Sequence, residues 1–242
     1  MAATPAGITA DVGVFGGSGF YSFLDDVTEV AVETPFGPPS APVSVGHLGD
    51  RTVAFLPRHG VSHQHPPHTV PYRANVWAMH SLGVTSVFGP CASGSLQRHV
   101  EPGHFVVPDQ LVDRTWGRPD TFFDGPVTHH VAFGDPYDHD LRQVALAACR
   151  DESVTVHDGG TVVTIQGPRF STRAESQWFG SHGWEVINMT QHPEAVLCRE
   201  AGLRYAAIAL ITDFDAGLVG TDVPPVTQEE VFAFFQQNLD TV

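Results

Sequence analysis

Basic residues are scarce in this chain. Only 12 of its 242 residues are Lys or Arg, against 27 Asp and Glu, for a formal charge of −15. Nucleic acid and anionic membranes are bound through clusters of positive charge, so neither is expected as a main partner. Cysteine is scarce too: Cys91, Cys149 and Cys198 are scattered, with no C-x-x-C. That is not a disulfide framework, and it suits a reducing compartment. No apolar run is long enough to span a bilayer, and Met1–Thr9 has neither the basic start nor the apolar core of a signal peptide. Low-complexity tracts and internal repeats are absent. The expectation is a soluble, cytoplasmic protein with a large core, in which any bound anion is held by a few placed Arg and His side chains.

Short apolar runs alternate with helical patterns throughout. Val12–Phe15, Thr52–Leu56, Val84–Phe88, His104–Val107, Thr161–Ile165, Val186–Ile187 and Tyr205–Thr212 read as strands. Tyr72–Ser81, Asp140–Arg150, Thr172–Phe179 and the segment before Gly202 read as helices, and Thr227-Gln228-Glu229-Glu230 is a capping box opening a last amphipathic helix. Thr34–Pro42 and the polar, aromatic stretch Asp113–Gly125 read as loops. This order predicts one α/β domain over residues 1–242, with a mixed central sheet flanked by helices.

Polar groups gather at strand ends, where ligands bind in open α/β sheets. Gly16-Gly17-Ser18-Gly19 follows the first strand and is either an anion-binding turn or a plain tight turn. Arg58-His59 ends another strand, as an anion clamp or as a surface pair. Gly89 to Leu96 reads as a second small-residue loop containing Cys91, Ala92 and Ser93. Phe170 and Ser171 lie at a strand-to-helix turn, the Phe either core or stacked on a ring. Asn188-Met189-Thr190 and the carboxylates Asp213 and Asp215 end the last two strands. His63, His65 and His68 have no metal-ligand spacing and no Cys or carboxylate beside them, so no metal is expected.

The pieces GVFGGSGF, RHG..H, YRAN.WA, PGHFVVPDQ..DRT, FFDG, TIQGPRFSTRAE, VINMT..PEA..CREAGL.YA and ITDFDAG occur in one order over nearly the whole chain. In that order the chain resembles the trimeric purine nucleoside and methylthioadenosine phosphorylases. The resemblance implies phosphorolysis of 5′-deoxy-5′-methylthioadenosine to adenine and 5-methylthioribose 1-phosphate. Inorganic phosphate is then a co-substrate, with no other cofactor, and a homotrimer is implied whose active sites lie at subunit interfaces. Adenosine or another purine nucleoside is the alternative substrate. A nucleoside hydrolase or an idle binding protein fits less well, because neither needs a phosphate clamp beside intact base positions.

The resemblance also assigns roles. Ser18, Arg58, His59, Cys91, Ala92 and Thr190 match phosphate positions, while Asn188, Met189 and Ser93, with Phe170 and Ser171, match ribose and base positions. Asp213 and Asp215 match the catalytic carboxylates that read N7 and the exocyclic amine. The related 6-oxopurine phosphorylases carry Asn at the Asp213 position and Glu at the Ser171 position, and both differences point to a 6-aminopurine. Gln228 and Val231 in the last helix match the 5′ pocket, and His130 matches a residue that reaches it from a neighbouring subunit. Cys91, Ser93 and Pro71 depart from the residues usual in the family. Relatives continue past the position of Val242, so either the chain given stops short or the 5′ pocket lacks a lid.

Overall fold

The computed structural model describes residues 7–16, 24–217 and 226–237. Within them eleven strands form one sheet: β1 Val12–Gly16, β2 Asp25–Val30, β3 Val43–Leu48, β4 Arg51–Pro57, β5 Ser86–Ser95, β6 Phe105–Val107, β7 Gln110–Arg114, β8 Val156–Asp158, β9 Thr161–Ile165, β10 Val186–Asn188 and β11 Arg204–Asp213. The helices are α1 Tyr72–Ser81, α2 His139–Asp151, α3 Arg173–Ser181, α4 Gln191–Glu200 and α5 Gln228–Gln237. Parallel and antiparallel pairings both occur, so the sheet is mixed as expected.

Helix ends follow local chemistry. The Asp138 carboxylate accepts from Leu141 N–H at the start of α2, and Thr172 and Glu175 form a reciprocal capping box at α3. Side chains alternate along β11. Tyr205 and Ala207 join the cluster packed by α1 and α4, while Ile208 and Leu210 pack with α2. The period of two therefore places helices on both faces of the sheet.

Two expectations are corrected. Residues 89–95 are not a loop: β5 runs straight through them. Their small side chains reflect crowding rather than a turn. A Cβ on Gly89 would sit 2.1 Å from the Tyr205 hydroxyl oxygen, and one on Gly94 would sit 3.0 Å from Asp213 Oδ1. Asp113 and Arg114 belong to β7, which pairs in parallel with β9, and β2, β3 and β8 carried too little apolar alternation to be recognised. β10 and β11, joined through α4, are not neighbours in the sheet. They lie on opposite edges of β5, with Ile187 and Asp213 both registered to Gly94.

That last arrangement makes the site. β11 follows one edge of β5 from Ser86 to Gly94. On the other edge β1 pairs only as far as Phe88, and β10 joins antiparallel only at Gly94 and Ser95. Residues 89–93 therefore have a strand partner on one side alone. Because β10 runs back along β5, its end delivers Asn188 and its successors beside that open edge.

Candidate active site

Arg58 enters the gap from the end of β4. The chain has no lysine, so all 12 basic side chains are arginines. This one is only 3% exposed. Its Nε and Nη2 donate to the Glu194 carboxylate at 2.5 and 2.7 Å, Nη2 also donates to the Phe15 carbonyl, and Nη1 donates to the Pro90 carbonyl at 3.3 Å. A guanidinium has five N–H donors, so these contacts leave one Nη1 hydrogen for an incoming anion. Burial works against the charge on Arg58, but Glu194 outweighs it and holds the group above its ordinary range. Arg58 is thus neither a surface pair nor a free clamp; it is a buried ion pair with one open corner.

Glu194 carried no role in the sequence reading. It is 2% exposed, and the Tyr205 hydroxyl donates to its Oε1 at 2.7 Å. Gly89 leaves room for this bond. The signal was present, because a buried Arg requires a buried acid, but burial of Arg58 is not visible in the sequence.

His59 is half-buried, and its Nδ1 lies 2.8 Å from the His65 carbonyl oxygen. A carbonyl only accepts, so Nδ1 carries the proton and Nε2 presents a lone pair. Burial pushes the imidazole down to about 3, the bond to His65 pulls upward, and Arg58 pushes down further. At neutral pH His59 can therefore accept a hydrogen bond from a hydrogen phosphate but adds no charge. Ser18 lies outside the described residues.

Asn188 turns inward. It is buried, its Nδ2 donates to Cys91 Sγ at 3.5 Å, and its Oδ1 accepts from the Thr164 hydroxyl at 3.3 Å. It braces β10 against β5 and β9. Thr190 is buried and makes no side-chain cap bond at the start of α4, so its hydroxyl is not committed to the helix. Cys91 and Ser93 are buried on β5 with Sγ and Oγ 3.5 Å apart, and Ala92 is half-buried.

Asp213 and Asp215 lie across Gly94 from this gap. Asp213 Oδ1 accepts from Asp215 N–H at 2.7 Å, and its Oδ2 is 2.6 Å from the Thr212 hydroxyl, which lies 3.3 Å from the Ser93 carbonyl. Thr212 has one hydrogen and two acceptors in reach. Burial raises the pKa of Asp213; the bonds from Thr212 and Asp215 N–H oppose this, and the Asp215 and Glu230 carboxylates add to it. Asp215 is raised as well, chiefly by burial, with nearby Ser176 and Ser171 hydroxyls acting in the opposite sense. Its backbone φ is 50°, and its Oδ2 and Ser171 Oγ are both buried and outside hydrogen-bond geometry, although Ser171 is close enough to favour the carboxylate. Two unpartnered polar atoms on neighbouring segments suit a ligand with donors and acceptors of its own.

Phe170 is 36% exposed, on a rim fixed by the bidentate Arg169–Glu175 pair and the α3 capping box. Core packing is thereby excluded for it. The segment leading into α5 is tied beside the carboxylates, since Val226 N–H donates to the Asp215 carbonyl at 3.1 Å. Val231 is half-buried there, Gln228 is exposed, and His130 is exposed on the long segment between β7 and α2. Among the described residues no group of three or more His, Cys, Asp or Glu is placed to hold a metal ion, and no helix is long and apolar enough to cross a membrane.

The unpaired edge of β5 beside buried Arg58, with the raised carboxyl pair at its other edge, makes this end of the sheet the candidate site. The chain belongs to the Phosphorylase superfamily, whose sequence profile matches residues 11–242. It is 60% identical over 230 residues to the S-methyl-5′-thioadenosine phosphorylase of Mycolicibacterium smegmatis, covering 94% of this chain and 85% of that one. It is 51% identical over 241 residues to the purine nucleoside phosphorylase of Streptomyces coelicolor, covering 96% and 85%. Among solved structures, the methylthioadenosine phosphorylase from Schistosoma mansoni in complex with adenine superposes with a TM-score of 0.89 at 39% identity, covering 96% of this chain and 88% of that one.

Proposed function

We propose that the protein cleaves 5′-deoxy-5′-methylthioadenosine by phosphorolysis, giving adenine and 5-methylthioribose 1-phosphate. The observation that carries this reading is the raised Asp213 carboxyl at one end of Gly94, with the Arg58–His59–Thr190 gap at the other. In the reaction a phosphate oxygen bonds to the anomeric carbon while the C–N bond breaks and its electron pair goes to the base. The sugar develops oxocarbenium character between them. Phosphate in the gap faces that positive charge, held by the remaining Arg58 N–H, the His59 lone pair, Thr190 and whichever backbone N–H of residues 91–92 points to the open edge of β5. Asp213 gives its proton to N7 as the base leaves, and an adenine amine meets the free acceptor of Asp215. Inorganic phosphate is the co-substrate, and the step calls for no further cofactor. The names of the Mycolicibacterium and Schistosoma relatives support the methylthioadenosine reading.

Adenosine is the second reading. Exposed Gln228 in the first turn of α5 can accept from a 5′-hydroxyl, and the Streptomyces relative is named for purine nucleosides. An assay of methylthioadenosine, adenosine and inosine, each with and without phosphate, separates these: base release is expected only with phosphate and fastest from methylthioadenosine. Preference for inosine would overturn the role of Asp213.

The active form is proposed to be a homotrimer in which His130 completes the neighbouring 5′ pocket. Its exposure on one chain suits such a role. Mixed oligomers of a His130→Ala chain and an Asp213→Asn chain are then expected to regain activity that neither parent has; no regain would count against a shared site. The free cysteines permit a reducing compartment such as the cytoplasm.

A further inference from the structure

We propose that Arg118 is a positioning residue for this phosphorolysis, locking the ribose-side turn 188–192 to the base-side turn 165–171 without touching substrate. The inference rests on the reading given under Proposed function. Arg118 lies in the long stretch after β7 and is 7% exposed. Its Nε donates to Gln166 Oε1 at 3.2 Å, Nη2 to the carbonyls of Ile165 and Gln166 at 3.3 and 2.8 Å, and Nη1 to the carbonyls of Met189 and His192 at 3.0 and 2.5 Å. All five donors are engaged, so none remains for a ligand. No carboxylate lies within 4.0 Å of it among the described residues. A buried arginine placed among neutral acceptors, four of them backbone carbonyls beside the Gln166 amide oxygen and the Tyr72 hydroxyl, is holding backbone.

The backbone it holds belongs to two diverging turns. β9 and β10 run parallel, with Thr164 registered to Asn188. Beyond that point one chain turns toward Phe170 and Ser171 and the other toward Met189 and Thr190. Arg118 fills the fork between them. The turns also touch, because a Cβ on Gly167 would lie 2.6 Å from Met189 Sδ. In a trans peptide the C=O and N–H point in opposite directions. With the Met189 carbonyl drawn to Arg118, the Thr190 N–H is aimed away from it, which fixes the direction of one candidate phosphate donor. Only a planar fork meets this set of acceptors; a lysine has three donors on one nitrogen.

If so, each half-site keeps its own affinity when Arg118 is lost, and only their joint alignment on a whole nucleoside fails. In Arg118→Lys and Arg118→Ala we expect kcat/KM for the nucleoside to fall about 100-fold, while adenine binding measured by calorimetry changes by less than about threefold. Methylguanidinium should return about tenfold of the lost kcat/KM to Arg118→Ala, since it restores the fork. A folded Arg118→Ala with kcat/KM near wild type would overturn the proposal, as would equal losses of adenine binding and turnover without rescue. If Arg118→Ala does not fold, Arg118→Lys decides; if neither folds, Arg118 is a stability residue and the proposal falls. Failure of the phosphorolysis reading would be visible in the wild-type protein alone, whereas failure of this inference needs an active wild type beside an equally active variant.

Discussion

Asp213→Asn is expected to lower kcat for methylthioadenosine phosphorolysis by about 100- to 1,000-fold, the scale of a lost general acid, with little change in phosphate binding. The amide keeps the shape of the carboxyl and can still face N7, but it has no proton to give. The pH profile provides the sharper test. Burial raises the Asp213 pKa above its ordinary value of 3.8. The acid form is the active one, so kcat falls as pH rises through the raised value. The same shift acts on stability. Between the ordinary and raised values the folded protein holds a proton that the unfolded chain has released, so the contribution to stability is fully present below the ordinary pKa and is lost as pH rises through the raised one. The Asn variant should lose the alkaline fall in kcat and part of the alkaline fall in stability. An unchanged alkaline limb would assign the proton to another group. Equal loss of phosphate binding would mean that the substitution had damaged the sheet around Gly94.

The second large effect is expected beneath the proposed phosphate gap. Glu194→Gln leaves the Arg58 guanidinium buried without its counter-charge. Breaking such a pair from one side costs about 3–5 kcal/mol, which for a chain of this size corresponds to a fall in melting temperature of about 10 °C. Phosphate can replace the missing negative charge at the open Nη1 corner. The variant should therefore gain more thermal stability from added phosphate than the wild type does, and it should show a lower KM for phosphate at low ionic strength. A melting temperature insensitive to the substitution would show that the pair contributes nothing net. A large fall without phosphate recovery would separate Arg58 from the anion site.

Legibility from sequence tracked the range of the interaction. The strand Thr161–Ile165, helix α1 and the Thr227–Glu230 capping box were readable because their signals are local in the chain. The positions of the carboxylates and of Asn188–Thr190 at strand ends were readable for the same reason. The path of β5 was not. Its small residues look like a turn until Tyr205, Glu194 and Asp213 are seen crowding Gly89 and Gly94 from distant parts of the chain. Glu194 and Arg118 were missed because each acts on residues far away in sequence, Arg58 and Met189 respectively. Phe170 stayed ambiguous between core and ring contact, since exposure depends on tertiary packing. What residue pattern left open was whether a polar side chain faces the ligand or the frame, and Arg58 and Asn188 both largely face the frame.

The central claim is that phosphate, not water, takes the sugar. Phosphorus NMR of the protein with methylthioadenosine and inorganic phosphate measures this directly. The account predicts a sugar 1-phosphate resonance that grows mole for mole with free adenine as inorganic phosphate declines. Adenine release with an unchanged phosphate signal would contradict it.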